Sequence, residues 1–195
     1  VIRLKPEHIS AYSLIIEKGT PFYEKYKFDM VRQEAGMQTE LLPTEDDVYK
    51  MLKLTQLVLA KAGYDRYEIS NYAKPGYMCR HNAGYWQRRE YLGLGLGASS
   101  LYRGMRFSNT CQMQEYLKES RNPEQIRKEV TVLSRNAQIE EFMFLGLRMT
   151  EGISEKQFKE TFGVRIMDIY GDILQKYEAT GFMEHIETKW CLTRK

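Results

Sequence analysis

The residues best suited to chemistry are concentrated in one stretch, residues 67–101, where potential ligands, aromatic rings and glycines occur close together. Four polar residues follow one another from Cys79 to Asn82, and Tyr85 and Trp86 come soon afterwards. The histidine among them is one of three in the chain, and the tryptophan is one of two. Because active groups usually lie on loops that a rigid scaffold holds, we expect the functional site in this stretch.

These residue types suit a flat, apolar ring that carries a metal and has acidic edges. A neutral imidazole nitrogen of His81, or a thiolate of Cys79, could bind the metal. The rings of Tyr85 and Trp86 could stack on the faces of such a ligand, and Arg80, with the arginines that follow, could bind its carboxylates. The chain has no CxxCH motif, so covalent attachment of a c-type haem is not expected.

Each of these residues has a structural alternative that the sequence leaves open. A single histidine in a loop commonly has a structural role, Cys79 is typical of an unreactive small residue, and a tryptophan such as Trp86 is more often part of the core than a stacking platform. Three alternating glycines, Gly93, Gly95 and Gly97, resemble a phosphate-binding turn. They lack the full GxGxxG pattern, so tight packing of the backbone is the favoured interpretation.

The composition is that of an ordinary globular chain. With 195 residues, 43% hydrophobic and 28% charged, it has room for one large domain or two small ones. The net charge of +3 is too small to indicate nucleic acid or an acidic membrane as a partner. Three widely spaced cysteines suggest a reducing compartment rather than a disulfide framework. Without a signal peptide or a membrane-spanning apolar run, we expect a cytoplasmic protein. The abrupt chain ends suggest a fragment of a longer protein.

The elements that must position these residues begin with a predicted β-α-β unit. Residues 8–16 form an apolar run that is typical of a strand in a parallel sheet. The spacing of Thr44 and Asp47 predicts a capping box at the start of a helix that ends before Gly63. A second strand is predicted at residues 64–72, followed by a turn.

The C-terminal part predicts a winged helix. Its helices are expected at residues 136–149, 154–162 and 166–179, with a terminal hairpin at residues 182–193. Helical spacing predicts that one face of the last helix is buried, through Ile166, Ile169, Ile173 and Tyr177. Polar residues dominate between 115 and 133, which favours a domain boundary there.

Three blocks of the sequence also resemble a known family. They are HISAYSLIIEKGTPF, YEISNYAKPGYMCRHNAGYW and YLGLGLGASS. These blocks are similar to the C-terminal half of HemW-type radical SAM proteins, often described as oxygen-independent coproporphyrinogen III oxidase-like. The HNxxYW element of the haem-chaperone branch of that family is complete here, as His81, Asn82, Tyr85 and Trp86.

The resemblance implies a mixed α/β (α+β) fold in two parts. Residues 1–125 would be the late strands and helices of an incomplete (β/α) radical SAM barrel, together with a connecting segment. Residues 126–195 would form a winged-helix-like domain of the HemN C-terminal type.

The resemblance also implies a function in haem or porphyrin metabolism. It implies haem binding, with iron bound by His81 and with Cys79, Arg80, Asn82, Tyr85 and Trp86 around it. It implies delivery of haem to haem proteins, including respiratory ones, and peripheral membrane association of the longer protein. A 4Fe-4S cluster and S-adenosylmethionine are implied for the longer protein only. The CxxxCxxC motif is absent from this chain, so we expect no cluster ligand and no catalytic residue here.

Two other functions stay open at this point. The longer protein could be an oxygen-independent coproporphyrinogen III oxidase, which decarboxylates its substrate to protoporphyrinogen IX, so its enzymatic status is undecided. The winged-helix pattern could instead bind nucleic acid. However, helix 166–179 has three acidic residues against one lysine, which is the wrong charge for phosphate. We therefore expect no nucleic-acid partner.

Overall fold

The structure is a computed structural model that describes residues 1–193. Arg194 and Lys195, the end of the predicted C-terminal domain, lie outside the described residues. The chain divides into two compact units, residues 1–78 and residues 79–195. The boundary that the sequence suggests between residues 125 and 126 stays a prediction.

The first unit combines a small antiparallel sheet with two long helices. Its elements are a 3-10 helix at Ile2–Leu4, β1 (His8–Ser10), α1 (Pro21–Glu34), α2 (Glu45–Lys61), β2 (Asp65–Arg66) and β3 (Asn71–Ala73). The strand order is β1-β3-β2, and both pairs are antiparallel. The expected parallel pairing of β1 with the strand after α2 is therefore wrong. The short connection between β2 and β3 turns the chain back, which makes an antiparallel hairpin, and β3 takes the place beside β1.

The predicted caps of α2 are confirmed. The Thr44 hydroxyl accepts a hydrogen bond from the Asp47 N–H (3.3 Å), and the Asp47 carboxylate accepts one from the Thr44 N–H (3.4 Å). Gly63 follows the helix with φ 82°. Leu59 is the buried residue of α2, and it packs with Tyr64 and Tyr72 in the core of this unit.

The second unit has a middle region followed by a C-terminal region. The middle region contains α3 (Arg80–Trp86), β4 (Ser99–Tyr102), β5 (Met105–Asn109), α4 (Met113–Glu119), α5 (Pro123–Ile126) and β6 (Arg127–Val132). The C-terminal region contains α6 (Arg135–Gly146), β7 (Ile153–Ser154), α7 (Glu155–Phe162), α8 (Ile166–Ala179), β8 (Met183–Ile186) and β9 (Lys189–Leu192). The two sheets have the orders β4-β5-β6 and β7-β9-β8, with antiparallel pairs throughout.

The C-terminal region is the three-helix and hairpin arrangement that the sequence predicts, with β7 as an additional edge strand. Phe142, Phe158 and Phe162 pack against one another in its core, with ring centroids 5.0–5.5 Å apart. The predicted buried face of α8 is only partly correct. Ile166 is buried together with Leu174, but three predicted core residues are about half exposed: Ile169, Ile173 and Tyr177.

The three sheets are open rather than closed into a barrel. Within residues 1–193, no helix has the length and the apolar character needed to cross a membrane.

Two glycines of the C-terminal region provide a matched test of its packing. Gly152 and Gly163 both have positive φ, 69° and 71°. A Cβ atom on Gly152 would lie 2.2 Å from the carbonyl oxygen of Trp190, whereas one on Gly163 would meet nothing within 4 Å. We expect Gly163→Ala to lower the free energy of unfolding by about 1–2 kcal/mol, through backbone strain alone. Gly152→Ala should lower it by about 1–3 kcal/mol more, because the strand backbone must move. Urea unfolding of both variants measures the difference, and equal losses would contradict the close approach.

Candidate functional site

The predicted site lies on the short helix α3 rather than on a loop. The carbonyl of Cys79 begins the helix by accepting a hydrogen bond from the Ala83 N–H (2.9 Å). At the other end, the N–H of Arg88 donates to the Tyr85 carbonyl (3.0 Å) and that of Arg89 to the Gly84 carbonyl (2.8 Å). These two bonds form a Schellman-type end, with Arg88 in the left-handed conformation (φ 56°). Both ends of the helix are therefore set by named contacts.

His81 is exposed on the surface of α3 and is held by the tyrosine one turn later. Its Nε2 lies 2.7 Å from the Tyr85 hydroxyl, and the two rings meet edge to face with centroids 4.5 Å apart. Tyr85 in turn packs edge to face against Tyr91, at 4.6 Å. Among residues 1–193, no side chain or backbone group forms a hydrogen bond with Nδ1 of His81. The contact with Tyr85 therefore fixes the orientation of the imidazole, and its other nitrogen has no partner in the part of the chain that the structure describes.

A shallow pocket of about 150 Å³ lies beside this imidazole. It is lined by two arginines, two tyrosines and three further residues: Arg80, Arg89, Tyr85, Tyr91, His81, Gly84 and Glu90. Pockets that enclose a whole drug-sized ligand have volumes of about 300 Å³ or more. This pocket can therefore accept one edge of a large planar ligand, with the rest of the ligand lying across the surface.

Trp86 lies apart from this pocket. Its indole lies under the Arg148 guanidinium, which is 4.2 Å from the ring, and it lines a separate pocket of about 80 Å³ with residues that include Phe142 and Ile153. Nε1 of Trp86 is buried and has no hydrogen-bond partner in the described part of the chain. This environment matches the alternative in which Trp86 belongs to the core.

The remaining predicted residues occupy three different places. Arg80 is exposed and lines the pocket beside His81. Cys79 is the half-buried residue that precedes α3, and its side chain makes no capping hydrogen bond. Asn82 is half-buried within the helix. The structure thus brings together Arg80, His81 and Tyr85, and it does not bring Trp86 to them.

A buried carboxylate behind α3 fixes the segment that follows it. Glu141 of α6 accepts hydrogen bonds from Nε of Arg88 (2.8 Å) and from Nε of Arg106 on β5 (2.5 Å). Its carboxylate is 11% exposed, as is the Arg88 side chain, so water screens their ion pair only weakly. Burial alone would raise the pKa of Glu141. The hydrogen bonds and charges of the two arginines outweigh burial and hold this pKa below its ordinary value.

The same network reaches the pocket beside His81. The Tyr91 hydroxyl interacts with Arg106 and, after Glu141, contributes to the raised pKa of that guanidinium. The backbone of Tyr91 is paired with buried Leu101, through hydrogen bonds of 2.8 and 3.1 Å. Tyr91 is therefore fixed at both its backbone and its ring before it contacts Tyr85.

The glycine-rich segment supports the packing interpretation. The N–H groups of Gly93, Gly95 and Gly97 donate to the Ser100 hydroxyl, the Tyr116 hydroxyl and the Thr110 carbonyl, respectively. The carbonyls of the first two glycines accept from the side chain of buried Asn109. Because these amides already have partners, the segment is not arranged to bind phosphate.

A larger cavity of about 460 Å³ lies within the first unit, and none of its lining residues has a charged side chain. Its walls are mainly apolar and contain no carboxylate, imidazole, thiol or basic side chain. Within residues 1–193, no group of three or more His, Cys, Asp and Glu side chains could hold a metal ion.

Sequence reasoning missed Tyr91, Arg106 and Glu141. Tyr91 lies inside the stretch that was predicted to hold the site, but its role depends on a ring contact six residues away. Glu141 was detectable in principle, because it is a carboxylate beside Phe142 and Met143, both of them buried in α6. A charged residue at a buried helical position usually has a charged partner.

The comparisons with known proteins agree with this architecture. The model of the HemN C-terminal domain family matches residues 133–195. The heme chaperone HemW of Lactococcus lactis is 39% identical over 171 residues, which are 88% of this chain and 42% of that protein. The heme chaperone HemW of Bacillus subtilis is 33% identical, over 100% of this chain and 49% of its own length.

This chain corresponds to the C-terminal part of the HemW-type proteins. It spans about half the length of the curated relatives that it matches. The solved structure of the coproporphyrinogen III oxidase HemN from Escherichia coli, a radical SAM enzyme, matches the whole chain over 46% of its own length, with a TM-score of 0.66. At 14% identity, this similarity supports the fold alone.

The pair of arginines on Glu141 predicts how the stability of this HemW-type chain depends on pH. The pKa of Glu141 is lowered in the folded state, so its contribution is present above the unfolded-state pKa of about 4.3 and is lost as the pH falls through the folded-state value. We expect Glu141→Gln to lower the free energy of unfolding by about 2–3 kcal/mol at pH 7. The loss should shrink below about pH 4. Urea unfolding from pH 3 to pH 7 measures it, and a loss that is independent of pH would contradict the ion pair.

Arg88 offers a second test, because its side chain stabilises the fold through Glu141 whereas its left-handed backbone conformation destabilises it. Arg88→Ala and Arg88→Gly both remove the ion pair with Glu141 and should both destabilise the chain. Only glycine relieves the left-handed conformation, so Arg88→Gly should be more stable than Arg88→Ala by about 1 kcal/mol. Thermal and urea unfolding of the two variants measure this difference. If alanine were the more stable substitution, the helix end described above would be wrong.

Proposed function

We propose that the longer protein to which this chain corresponds binds haem at the face of α3 that carries His81, and passes the haem to other proteins. The observation that supports this most is the state of the imidazole: it is exposed, oriented by Tyr85, and has Nδ1 without a partner in residues 1–193. Two relatives that match the chain over most of its length are named heme chaperone.

The arrangement of side chains fits haem as a ligand. A neutral imidazole is a common axial ligand of haem iron, and a ligating histidine usually has its second nitrogen in a hydrogen bond. Here Nε2–H can donate to the Tyr85 hydroxyl, while Nδ1 has no hydrogen-bond partner within residues 1–193. Arg80 and Arg89, which line the adjacent pocket, can pair with the two propionates. An exposed site of this kind suits a ligand that must later be released.

The proposal assigns a supporting role to some residues of the HNxxYW element. Trp86 acts from the opposite side of α3, through its packing under Arg148, and does not contact haem. Cys79 and Asn82 are half-buried at the start of the helix, where the Cys79 carbonyl accepts the first hydrogen bond of the helix. Iron binding is assigned to His81 alone.

The remaining parts of the proposal rest on the resemblance. A 4Fe-4S cluster and S-adenosylmethionine are assigned to the longer protein, outside this chain. The cytoplasm is the proposed location, respiratory haem proteins are the proposed recipients, and the proposed contact with the membrane is peripheral. The oxidase alternative has less support, because its structural counterpart is only 14% identical. Binding of nucleic acid has no support from α8, whose acidic residues outnumber its single lysine.

Haem titration tests this proposal. We expect the chain to give a Soret band shift on binding haem, and we expect His81→Ala to weaken binding and to change the spectrum, because the axial ligand is lost. Tyr85→Phe removes only the hydroxyl that orients the imidazole, so it should weaken binding by about 10–100-fold while the Soret position is retained.

His185→Ala is the matched control. That imidazole stacks on Trp190 with a centroid distance of 4.4 Å and lies 3.2 Å from a carboxylate oxygen of Glu155, remote in the chain from α3. Its removal should leave both the affinity and the spectrum unchanged. The assignment of iron to His81 fails if His81→Ala binds haem with the affinity and spectrum of the unaltered chain.

A further inference from the structure

The pocket beside His81 is lined by Tyr91, a residue that lies outside the HNxxYW element. Its ring meets that of Tyr85 edge to face, with centroids 4.6 Å apart and ring planes at 79°. Tyr85 meets the imidazole of His81 in the same manner, with centroids 4.5 Å apart. The three rings therefore form one contiguous aromatic cluster along the pocket, and Tyr91 stands at its end.

The members of this cluster and the nearby tryptophan differ in what they can offer to a flat ligand. The Tyr85 hydroxyl is bonded to the imidazole, so this side chain already serves to orient His81. Trp86, the ring that the sequence suggested for stacking, lies under Arg148 and lines a separate pocket. Tyr91 is half-buried and lines the pocket itself. A planar ligand that fills this pocket would therefore meet the ring of Tyr91 rather than that of Trp86.

Tyr91 is held in place before any ligand binds. Its N–H donates to the carbonyl of buried Leu101 (2.8 Å), and its carbonyl accepts from the Leu101 N–H (3.1 Å). Its hydroxyl interacts with Arg106, whose Nε donates to the Glu141 carboxylate (2.5 Å). An aromatic ring that is fixed in this way loses little conformational entropy when a ligand packs against it. Anchored rings of this kind commonly contribute a large share of binding energy.

The charges of the pocket complement this ring. Arg80 and Arg89 are exposed cations that line it, and Glu90 is an exposed carboxylate that lines it as well. One Glu90 oxygen accepts a hydrogen bond from the Arg103 N–H (2.7 Å). Two guanidinium groups against one carboxylate favour a ligand with carboxylates at the edge of an apolar body.

We propose that Tyr91 contacts the macrocycle of the bound tetrapyrrole, and that this contact does not require iron. The site should therefore also bind the iron-free porphyrin, through Tyr91 and the two arginines that line the pocket. This inference rests on the proposed function, because it concerns the same site. It assigns to Tyr91 the stacking role that the sequence suggested for Trp86.

Nuclear magnetic resonance of the 195-residue chain with iron-free protoporphyrin IX tests the contact directly. The ring current of the porphyrin should shift the side-chain proton resonances of Tyr91. The resonances of Tyr177 on α8, whose ring contacts that of Phe182, should stay in place. This measurement uses the unaltered chain, so it does not depend on the folding of a variant.

Substitution of the ring gives a second measurement. Tyr91→Leu should weaken binding of both haem and iron-free protoporphyrin IX by about tenfold, because the aromatic contact is lost. Tyr91→Phe keeps the ring and should bind both ligands within about twofold of the unaltered chain. Tyr177→Leu is the matched control, an equal change at an exposed tyrosine of the same unit, and should leave both affinities unchanged. Circular dichroism checks that each variant is folded.

The outcomes separate this inference from the proposed function. If haem binds but the iron-free porphyrin does not, the inference is overturned and the proposed function stands. The same holds if the porphyrin binds without shifting the Tyr91 resonances, or if Tyr91→Leu binds both ligands as tightly as the unaltered chain does. If neither ligand binds, the proposed function and the inference fail together.

Discussion

The second unit depends on the carboxylate of Glu141, whose side chain is 11% exposed. Burying Glu141 without partners would destabilise the fold, because the lost hydration free energy of a charge is offset only by hydrogen bonds and opposite charges. Its two partners come from different elements, Arg88 directly after α3 and Arg106 on β5. The Glu141 side chain therefore connects α6 to the segment that follows α3 and to β5. Loss of Glu141 would leave two arginines close together without an opposite charge, and loss of either arginine would remove one of the two hydrogen bonds that the carboxylate accepts.

This constraint extends to the surface on which the chemistry is proposed. Arg106 interacts with Tyr91, the ring of Tyr91 packs on Tyr85, and the Tyr85 hydroxyl is bonded to the imidazole of His81. An exposed side chain normally samples several rotamers, and ordering it costs entropy when a ligand binds. Here the contacts with Tyr85 and Tyr91 already restrict the rotamers of His81, so less entropy is lost when a ligand binds. The side chain proposed to bind iron is thus both exposed and preorganised.

The local features of the fold could be predicted from the sequence, whereas its long-range features could not. Thr44 and Ser154 accept hydrogen bonds from residues three positions later, so the starts of α2 and α7 follow from short motifs. The antiparallel pairing of β1 with β3 joins segments about sixty residues apart, and nothing in either segment specifies its partner. The resemblance to HemW-type proteins supplied the overall fold class, which periodicity alone would have left ambiguous.

The arrangement of the residues around the candidate site shows the same division between local and long-range features. The stretch that contains His81 and Tyr85 was recognisable from residue types, but the partners of Glu141 lie 53 and 35 residues away along the chain. The predicted buried face of α8 was only partly correct because Ile169 and Ile173 share the helical spacing of core residues, and periodicity does not show how much of an apolar helix surface the core covers. The separation of Trp86 from His81 follows from the pitch of α3, once that segment is known to be a helix.

The two ends of α3 have a consequence for how homologous sequences can vary. His81 is presented near the start of the helix, and Arg88 is held by Glu141 just after its end. Each residue inserted or deleted between these two positions would rotate the imidazole by about 100° around the helix axis relative to that anchor. Related chains that keep this arrangement should therefore show no gap between the two positions in an alignment. The number of residues between His81 and Arg88 should therefore be constant, whereas surface loops elsewhere can vary in length.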